Sequence, residues 1–233
     1  MPLNTKGLIP RAWRVIKRIF IFLFFFQLFY ILLLKWVFPP ITLTQLVSVF
    51  RGEGLKRDYV HMKEISPYAR LAVICSEDQL FPDHDGFDFK SIEKAMKHNQ
   101  KSKNMHGAST ISQQVAKNVF LWQGGGYFRK GLEVYFTFMI EWIWGKRRIL
   151  EMYLNVSEMG KGVYGIEAAA HSYYNHPART LSRVEAAKIA ACLPNPKVFT
   201  IKPMHHHIAE KYPWILVQMN HLQDDSDIQK LLQ

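Results

Sequence analysis

Residues 77–86 read EDQLFPDHDG. Glu77 and Asp78 are adjacent, and Phe81, His84 and Gly86 follow closely. Such a set could ligate a metal, cleave a sugar, build a sugar polymer or cap a helix. The preceding stretch SPYARLAVICSE offers Ser66 as a helix cap and Pro67 at the first helical position. That helix places Glu77 in its last turn, beside Val73 and Ile74. A helix C-terminus disfavours a carboxylate, and apolar neighbours remove its water. A Glu with a raised pKa makes a good general base or acid. His84 and Asp85 can tie the following turn together. A metal site lacks a spacing such as HExxH, so no metal ligands are assigned.

Three further stretches carry polar residues in patterns. In GASTISQQVAKNVF, residues 107–120, Ser109 or Thr110 can cap a helix. Thr110, Gln113, Gln114 and Lys117 would share one face, with Ile111, Val115 and Val119 toward the core. A helix N-terminus presenting hydroxyls, amides and an ammonium attracts phosphate. The alternative is a solvated face, which two adjacent glutamines beside a Gly-Ala-Ser-Thr entry make less attractive. In FRKGLE, residues 128–133, Arg129 and Glu133 have the spacing of a helical ion pair. Arg129 and Lys130 could instead clamp a pyrophosphate, with Glu133 ionised among cations. In residues 146–170, Lys146, Arg147 and Arg148 read as a solvated run, and Leu150, Tyr153 and Leu154 as a core stripe. Asn155 and Gly160 look like a helix end and turn, so this block reads as structural support.

These residues must be positioned by a chain of 233 residues, enough for one domain and an appendage. Lys and Arg number 30 against 19 Asp and Glu, a net charge of +11. That balance favours an anionic partner, whether phospholipid headgroups, a phosphorylated substrate or nucleic acid. The appendage is the apolar run Ile19–Phe38, long enough to cross a bilayer as a helix. Lys35 can snorkel, and Trp36 suits an aromatic belt. Lys6, Arg11, Arg14, Lys17 and Arg18 precede it, and no acid appears before Glu53. Positive flanks stay cytoplasmic, so the chain after Pro39–Pro40 should lie outside. No A-x-A pattern follows, which argues for an uncleaved anchor. The expected organisation is residues 1–18 as a cytoplasmic tail, 19–38 as the anchor and 39–233 as one periplasmic domain.

Within that domain helical patterns dominate, so the fold should be mainly α. Ser182-x-x-Glu185 is a capping-box signature. A long helical pattern in the 131–155 region should break near Gly145. Residues 132–144 are too apolar for a water-facing helix and read as a core helix, part of which could face lipid. His205-His206-His207 reads as a solvated loop, and residues 211–220 as a terminal packing helix after Pro213. Cys75 and Cys192 read as buried free thiols, with a single bridge between them as the alternative outside the cytoplasm. No nucleic-acid motif accompanies the positive charge.

Taken together and in order, EDQLFPDHDG, GASTISQQVAKN, RKGLE and KRRILEMYLN resemble the peptidoglycan glycosyltransferase domain of glycosyltransferase family 51, also found in bifunctional penicillin-binding proteins. The likeness covers about residues 45–200, and the chain leaves no room for a transpeptidase domain after it. It implies a mainly α, lysozyme-like two-lobed domain after a single N-terminal transmembrane helix in the inner membrane. It implies polymerisation of lipid II, the partner together with the growing lipid-linked glycan, with undecaprenyl pyrophosphate as leaving group. By the same likeness Glu77 is the catalytic base and Glu133 the second essential carboxylate. Ser109, Thr110, Gln113, Gln114, Lys117, Asn118, Arg129 and Lys130 match substrate-binding positions, and Asp78, Phe81, His84 and Gly86 support the first motif. No cofactor is required, though a divalent cation, Mg or Mn, could bridge pyrophosphate and carboxylate. Penicillin-binding and division proteins are candidate partners, and nucleic acid is not. The family commonly has an Arg about where Gly125 stands, so this chain should bind donor pyrophosphate less well. A lysozyme-like cleaving enzyme and a non-catalytic partner of the wall machinery are the competing readings.

Overall fold

The computed structural model describes residues 8–100 and 107–233, and the chain forms two units, Met1–Val37 and Phe38–Gln233. The first unit contains helix α1 (Leu8–Leu33). Its segment Trp13–Leu33, 21 residues of mean hydropathy 2.1, is the one helix among the described residues long and apolar enough to cross a membrane. Side chains from Ile19 to Phe26 are all exposed, an arrangement that suits lipid rather than water. The helix starts earlier than Ile19 and stops before Phe38. Pro39 bars its extension, because the residue before a proline avoids the α region. Lys6 and the rest of residues 1–7 lie outside the described residues.

The second unit is mainly α, as its periodicity demands. Helix α2 (Leu43–Phe50) opens with a capping box between Thr42 and Gln45. Helix α3 (Pro67–Glu77) starts where expected, with the Ser66 hydroxyl accepting from the Tyr68 amide. Helix α4 (Phe89–Asn99) is capped by Asp88, and α5 (Ile111–Phe120) by Thr110. Helices α6 (Tyr127–Trp144) and α7 (Lys146–Val156) break at Gly145, whose φ of 76° lies in the left-handed region. Helix α8 (Ile166–Tyr174) precedes α9 (Arg183–Cys192), which opens with the Ser182–Glu185 capping box. Helices α10 (His206–Leu222) and α11 (Ser226–Leu232) complete the chain. Three very short strands, β1 (Lys56–Arg57), β2 (Glu158–Gly160) and β3 (Val163–Tyr164), form a sheet of order β1-β3-β2.

The helices form two groups. In one, α3 packs on α9, α10 and α11. Residues Leu71 to Cys75 of α3 are at most 2 % exposed, so this helix is central. In the other group, α5 packs on α2, α6 and α7. Helix α7 also meets α8, which backs the sheet. The apolar stretch of α6 divides as its two readings allowed. Met139, Ile140 and Trp144 are buried, whereas Phe128, Phe138 and Trp142 stay exposed.

Several local expectations are corrected. Lys146 and Arg148 are not solvated: Lys146 bonds Glu141 at 2.6 Å and stands over the Phe81 ring, and Arg148 pairs with Glu151 and stacks over Phe38. Asn155 does mark the helix end, α7 stopping one residue later at Val156, whereas Gly160 belongs to β2 rather than to a turn. The histidine run is the start of α10, with His205 as its cap. Pro213 lies inside that helix on its exposed side, where water can satisfy the carbonyl its ring leaves unbonded.

Asn155 is also a clamp. Its side chain accepts from the Val60 amide at 2.9 Å and donates to the Val60 carbonyl at 3.0 Å and the Glu151 carbonyl at 2.7 Å. Gly165 presses against the Asn155 carbonyl with φ of 85°, where a Cβ would come within 2.6 Å of that oxygen. The clamp fixes the segment entering α3 to α7. Asn155→Ala would strand both Val60 groups and cost about 2–4 kcal/mol. A melting temperature roughly 5–10 °C lower is the expected readout; an unchanged one would show that the clamp carries little.

Candidate active site

Glu77 is the last residue of α3. Its Oε2 accepts from Gln114 Nε2 at 2.9 Å and its Oε1 from Ser76 Oγ at 3.2 Å. Gln114 in turn accepts at Oε1 from the Tyr153 hydroxyl at 3.3 Å. Burial raises the Glu77 pKa above the usual carboxylate range. The hydrogen bonds from Gln114 and Ser76 and the charge of Lys211 oppose that rise, and neighbouring Asp78 adds to it. Glu77 is thus a half-buried carboxyl at the helix end, in keeping with the expectation of a partly desolvated one.

Asp78 has a different task. It is buried, and its Oδ2 accepts from the Ile111 amide at 3.0 Å. His84 Nε2 lies 3.1 Å from each Asp78 oxygen, and His84 Nδ1 accepts from the Gly86 amide. That last bond places the imidazole proton on Nε2, pointing at Asp78. Thr110 Oγ1 donates to the Gly86 carbonyl at 2.7 Å, and fully buried Phe81 meets the His84 ring edge-on. Asp78, Phe81, His84, Gly86 and Thr110 thus splice the end of α3 to the start of α5. Two of the amides at that N-terminus are thereby engaged within the protein. The Ile111 amide already serves Asp78, and the Gln113 amide serves Thr110 Oγ1. Gln113 itself is buried, its side chain closing the box on the Thr110 amide. Of the two glutamines, Gln114 is the one at Glu77.

The second carboxylate sits among cations. Glu133 is 2 % exposed, with Arg129 at 2.7 Å and Lys130 at 2.5 Å. Lys117, one turn beyond Gln114 on α5, stands in the fields of both carboxylates. Burial lowers its pKa, Glu133 and Glu77 raise it, and Arg129 and Lys130 lower it further. Arg129 Nε is buried and has no partner. Asn118 is mostly committed to structure, with its Oδ1 accepting from Gln123 and its carbonyl from Thr44. Gly125 has φ of 102°, and a Cβ there would lie 3.2 Å from Arg129 Cβ and Trp122 Nε1. The glycine lets this loop pass beside Arg129.

Two hollows meet at this set. One, of about 430 Å³, is lined by Glu77, Ser109, Thr110, Asp88, Lys94 and Trp214. The other, of about 200 Å³, is lined by Gln114, Lys117, Asn118, Tyr153, Ser157 and Glu158. The Glu77–Gln114 hydrogen bond joins their linings. Lys94, Trp214 and Glu158 were not singled out from sequence, and Tyr153 was read as core. Its hydroxyl was the available signal, because a buried Tyr O–H needs a partner. Among the described residues no three His, Cys, Asp or Glu side chains converge as a metal site.

The arrangement sets a carboxyl whose pKa is raised by burial beside a cluster of cations. Comparison with known proteins gives the family. The Transglycosylase family model matches residues 44–220. A protein of Mannheimia succiniciproducens named biosynthetic peptidoglycan transglycosylase is 51% identical over 165 residues, 71% of this chain and 68% of its own. Proteins of the same name from Yersinia pseudotuberculosis and Yersinia pestis are 55% identical over 166 residues, 71% of this chain and 69% of theirs. The chain belongs to the transglycosylase family and is a peptidoglycan transglycosylase of cell-wall biosynthesis, with one N-terminal apolar helix suited to membrane anchoring.

Proposed function

We propose that the chain polymerises lipid II into β-1,4 glycan strands, with Glu77 as general base. The observation that carries this is the pairing of a desolvated, hydrogen-bonded Glu77 with the Lys117–Arg129–Lys130 cluster around Glu133. Glu77 takes the proton from the acceptor's 4-hydroxyl as that oxygen attacks the donor's anomeric carbon. The bond to the pyrophosphate breaks, and undecaprenyl pyrophosphate leaves with the electron pair. Attack opposite an α-linked leaving group gives the β product. An alcohol is a weak nucleophile until a base accepts its proton. Lys117, Arg129 and Lys130 offset the charge that gathers on the departing oxygen. Glu133 holds Arg129 and Lys130 in place for it, and Ser109 and Gln114 face the substrate.

A divalent cation, Mg or Mn, would be held by the substrate's pyrophosphate and would offset its charge, since both Glu133 oxygens are engaged by Arg129 and Lys130. We also propose residues 1–18 as cytoplasmic, the apolar helix as a single inner-membrane span, and the second unit as periplasmic, from the basic residues ahead of the helix. The exposed Phe128, Phe138 and Trp142 on α6 support a domain working at a lipid surface. Confinement to that surface raises the effective concentration of a lipid-linked substrate. A cleaving enzyme would have little use for the cation cluster, and a non-catalytic partner little use for an ionisable carboxyl kept from water. Division and penicillin-binding proteins would act beside it on the same strands.

Glycan synthesis from labelled lipid II in detergent, run beside Glu77→Gln, tests the reading. The variant should lose about 10²–10⁴-fold in rate, the usual worth of a general base. Because burial raises the folded-state pKa of Glu77, its ionised form weighs against folding at neutral pH, so the variant should melt higher than wild type. A fully active Glu77→Gln would sink the base assignment; release of soluble fragments from cell-wall sacculi would favour cleavage.

The base must be ionised to act. Activity should therefore fall as pH drops through the raised Glu77 pKa, giving an acid limb above the ~4.3 of a free Glu. An acid limb at or below that value would contradict the burial argument.

At Gly125 the positive φ and the nearness of Arg129 make a side chain costly. Gly125→Ala should cost about 1 kcal/mol of loop order and raise the lipid II concentration for half-maximal rate. Unchanged kinetics would mean that the loop yields without disturbing Arg129.

A further inference from the structure

We infer that α2 is an interfacial helix: its apolar outer face lies in the leaflet from which the anchor emerges, and through Thr44 it sets the depth at which α5 carries Gln114 and Lys117. The inference rests on the reading of α1 as a membrane span. It starts from a helix whose two sides are reversed. Thr42, Gln45 and Ser48 repeat along one side and are at most 1 % exposed. Leu43, Leu46, Val49 and Phe50 line the other and are 41, 36, 46 and 81 % exposed. A helix on a water-soluble surface buries its apolar stripe and shows its polar one. A helix lying between a polar protein surface and lipid does the opposite.

The buried polar side is spoken for. Thr42 and Gln45 close the capping box of α2. Gln45 Nε2 donates to the Tyr59 hydroxyl at 3.0 Å, and Arg57 donates to Gln45 Oε1 at 3.3 Å. Ser48 donates to the Gly54 carbonyl at 3.0 Å. The polarity of that side therefore belongs to the fold, and the apolar side is what remains exposed.

The path of the chain says what covers it. The 21 residues Trp13–Leu33 reach about 31 Å as a helix, close to the thickness of a hydrocarbon core. Phe38 follows shortly and is fastened to the second unit: the Arg148 guanidinium stands 4.6 Å over its ring, and the Tyr59 ring lies 5.2 Å away. Tyr59 is also the residue that Gln45 binds, so α2 sits within one tyrosine side chain of the point where the chain leaves the bilayer. Exposed Arg51 and Lys56 just beyond α2 suit anionic headgroups. On its inner side Thr44 Oγ1 donates to the Asn118 carbonyl at 3.2 Å, and α2 packs on α5. Lipid against α2 thus fixes how far Gln114 and Lys117 stand from a pyrophosphate that is itself held at the bilayer surface.

Cys75 and Cys192 are buried, so a cysteine placed at Phe50 can be labelled alone. The full chain carrying Phe50→Cys is labelled with the fluorophore NBD and placed, one copy per disc, in nanodiscs of phosphatidylethanolamine and phosphatidylglycerol. Phe25→Cys, at a 63 % exposed position of α1, is treated in the same way. We expect blue-shifted emission at Phe50, quenched by lipid spin-labelled on its acyl chain and not by aqueous iodide. Quenching by iodide alone would overturn the inference. So would protection from both quenchers, which would mean that protein covers the face. Phe25 separates the two readings. If its label meets iodide and not the lipid quencher, the span reading fails; if it lies in lipid while Phe50 lies in water, only the present inference fails. Leu46→Glu reads the consequence for the reaction. It should polymerise lipid II at the wild-type rate in detergent and about tenfold more slowly in nanodiscs, because displaced reacting groups lose rate steeply. A merely structural role would slow both alike. Equal losses in the two media, or a wild-type rate in nanodiscs, would overturn the part given to α2 in setting depth. If Leu46→Glu does not fold, the label at Phe50 decides.

Discussion

Asp78 holds the site together. Its carboxylate is buried where one helix ends and another begins, and it accepts from the first amide of α5 while His84 donates to it. A buried carboxylate survives only when its oxygens are satisfied, and here the satisfying groups belong to parts of the chain that must be brought together. The positive end of the α5 dipole offsets the unfavourable end of α3. Because Asp78 fixes where α5 starts, it also fixes where Gln114 and Lys117 stand relative to Glu77. Removing it would leave three helices correctly formed and wrongly placed.

The two essential-looking carboxyls are treated in opposite ways. Glu133 is clasped directly by Arg129 and Lys130, which engage both of its oxygens. Among the described residues Glu77 makes no ion pair, and its side chain accepts from the neutral donors Gln114 and Ser76. At Glu77, held by amide and hydroxyl, burial is the dominant influence and raises the pKa. The adjacent acids Glu77 and Asp78 both line the larger hollow, but their partners differ: Gln114 and Ser76 for one, a histidine and a helix amide for the other.

Much of this could be read from residue types. Ser66, Pro67 and the Ser182–Glu185 box announce their helices because capping is local chemistry. Gly145 marked its break because few other residues tolerate its φ. The position of Glu77 at a helix end followed from counting turns. What could not be read depends on partners distant in sequence. Lys146 and Arg148 looked solvated because Glu141, Phe81 and Phe38 are found only in three dimensions. Gln113 and Gln114 are neighbours in sequence, and only the capping box assigns one to structure and leaves the other for the site. Pro213 suggested a helix start because the packing that carries α10 through it is tertiary.

The two cysteines have a practical consequence. Cys75 and Cys192 are both free and both buried, and burial pushes the Cys75 thiol up to about 12 and Cys192 higher still. Neither presents a thiolate to an oxidant or alkylating reagent while the fold is intact. The fold accordingly owes nothing to the redox poise of its surroundings and needs no oxidase to mature. It also offers a silent background for labelling, in which a single cysteine added on the exposed face of α6 would be the only one to react.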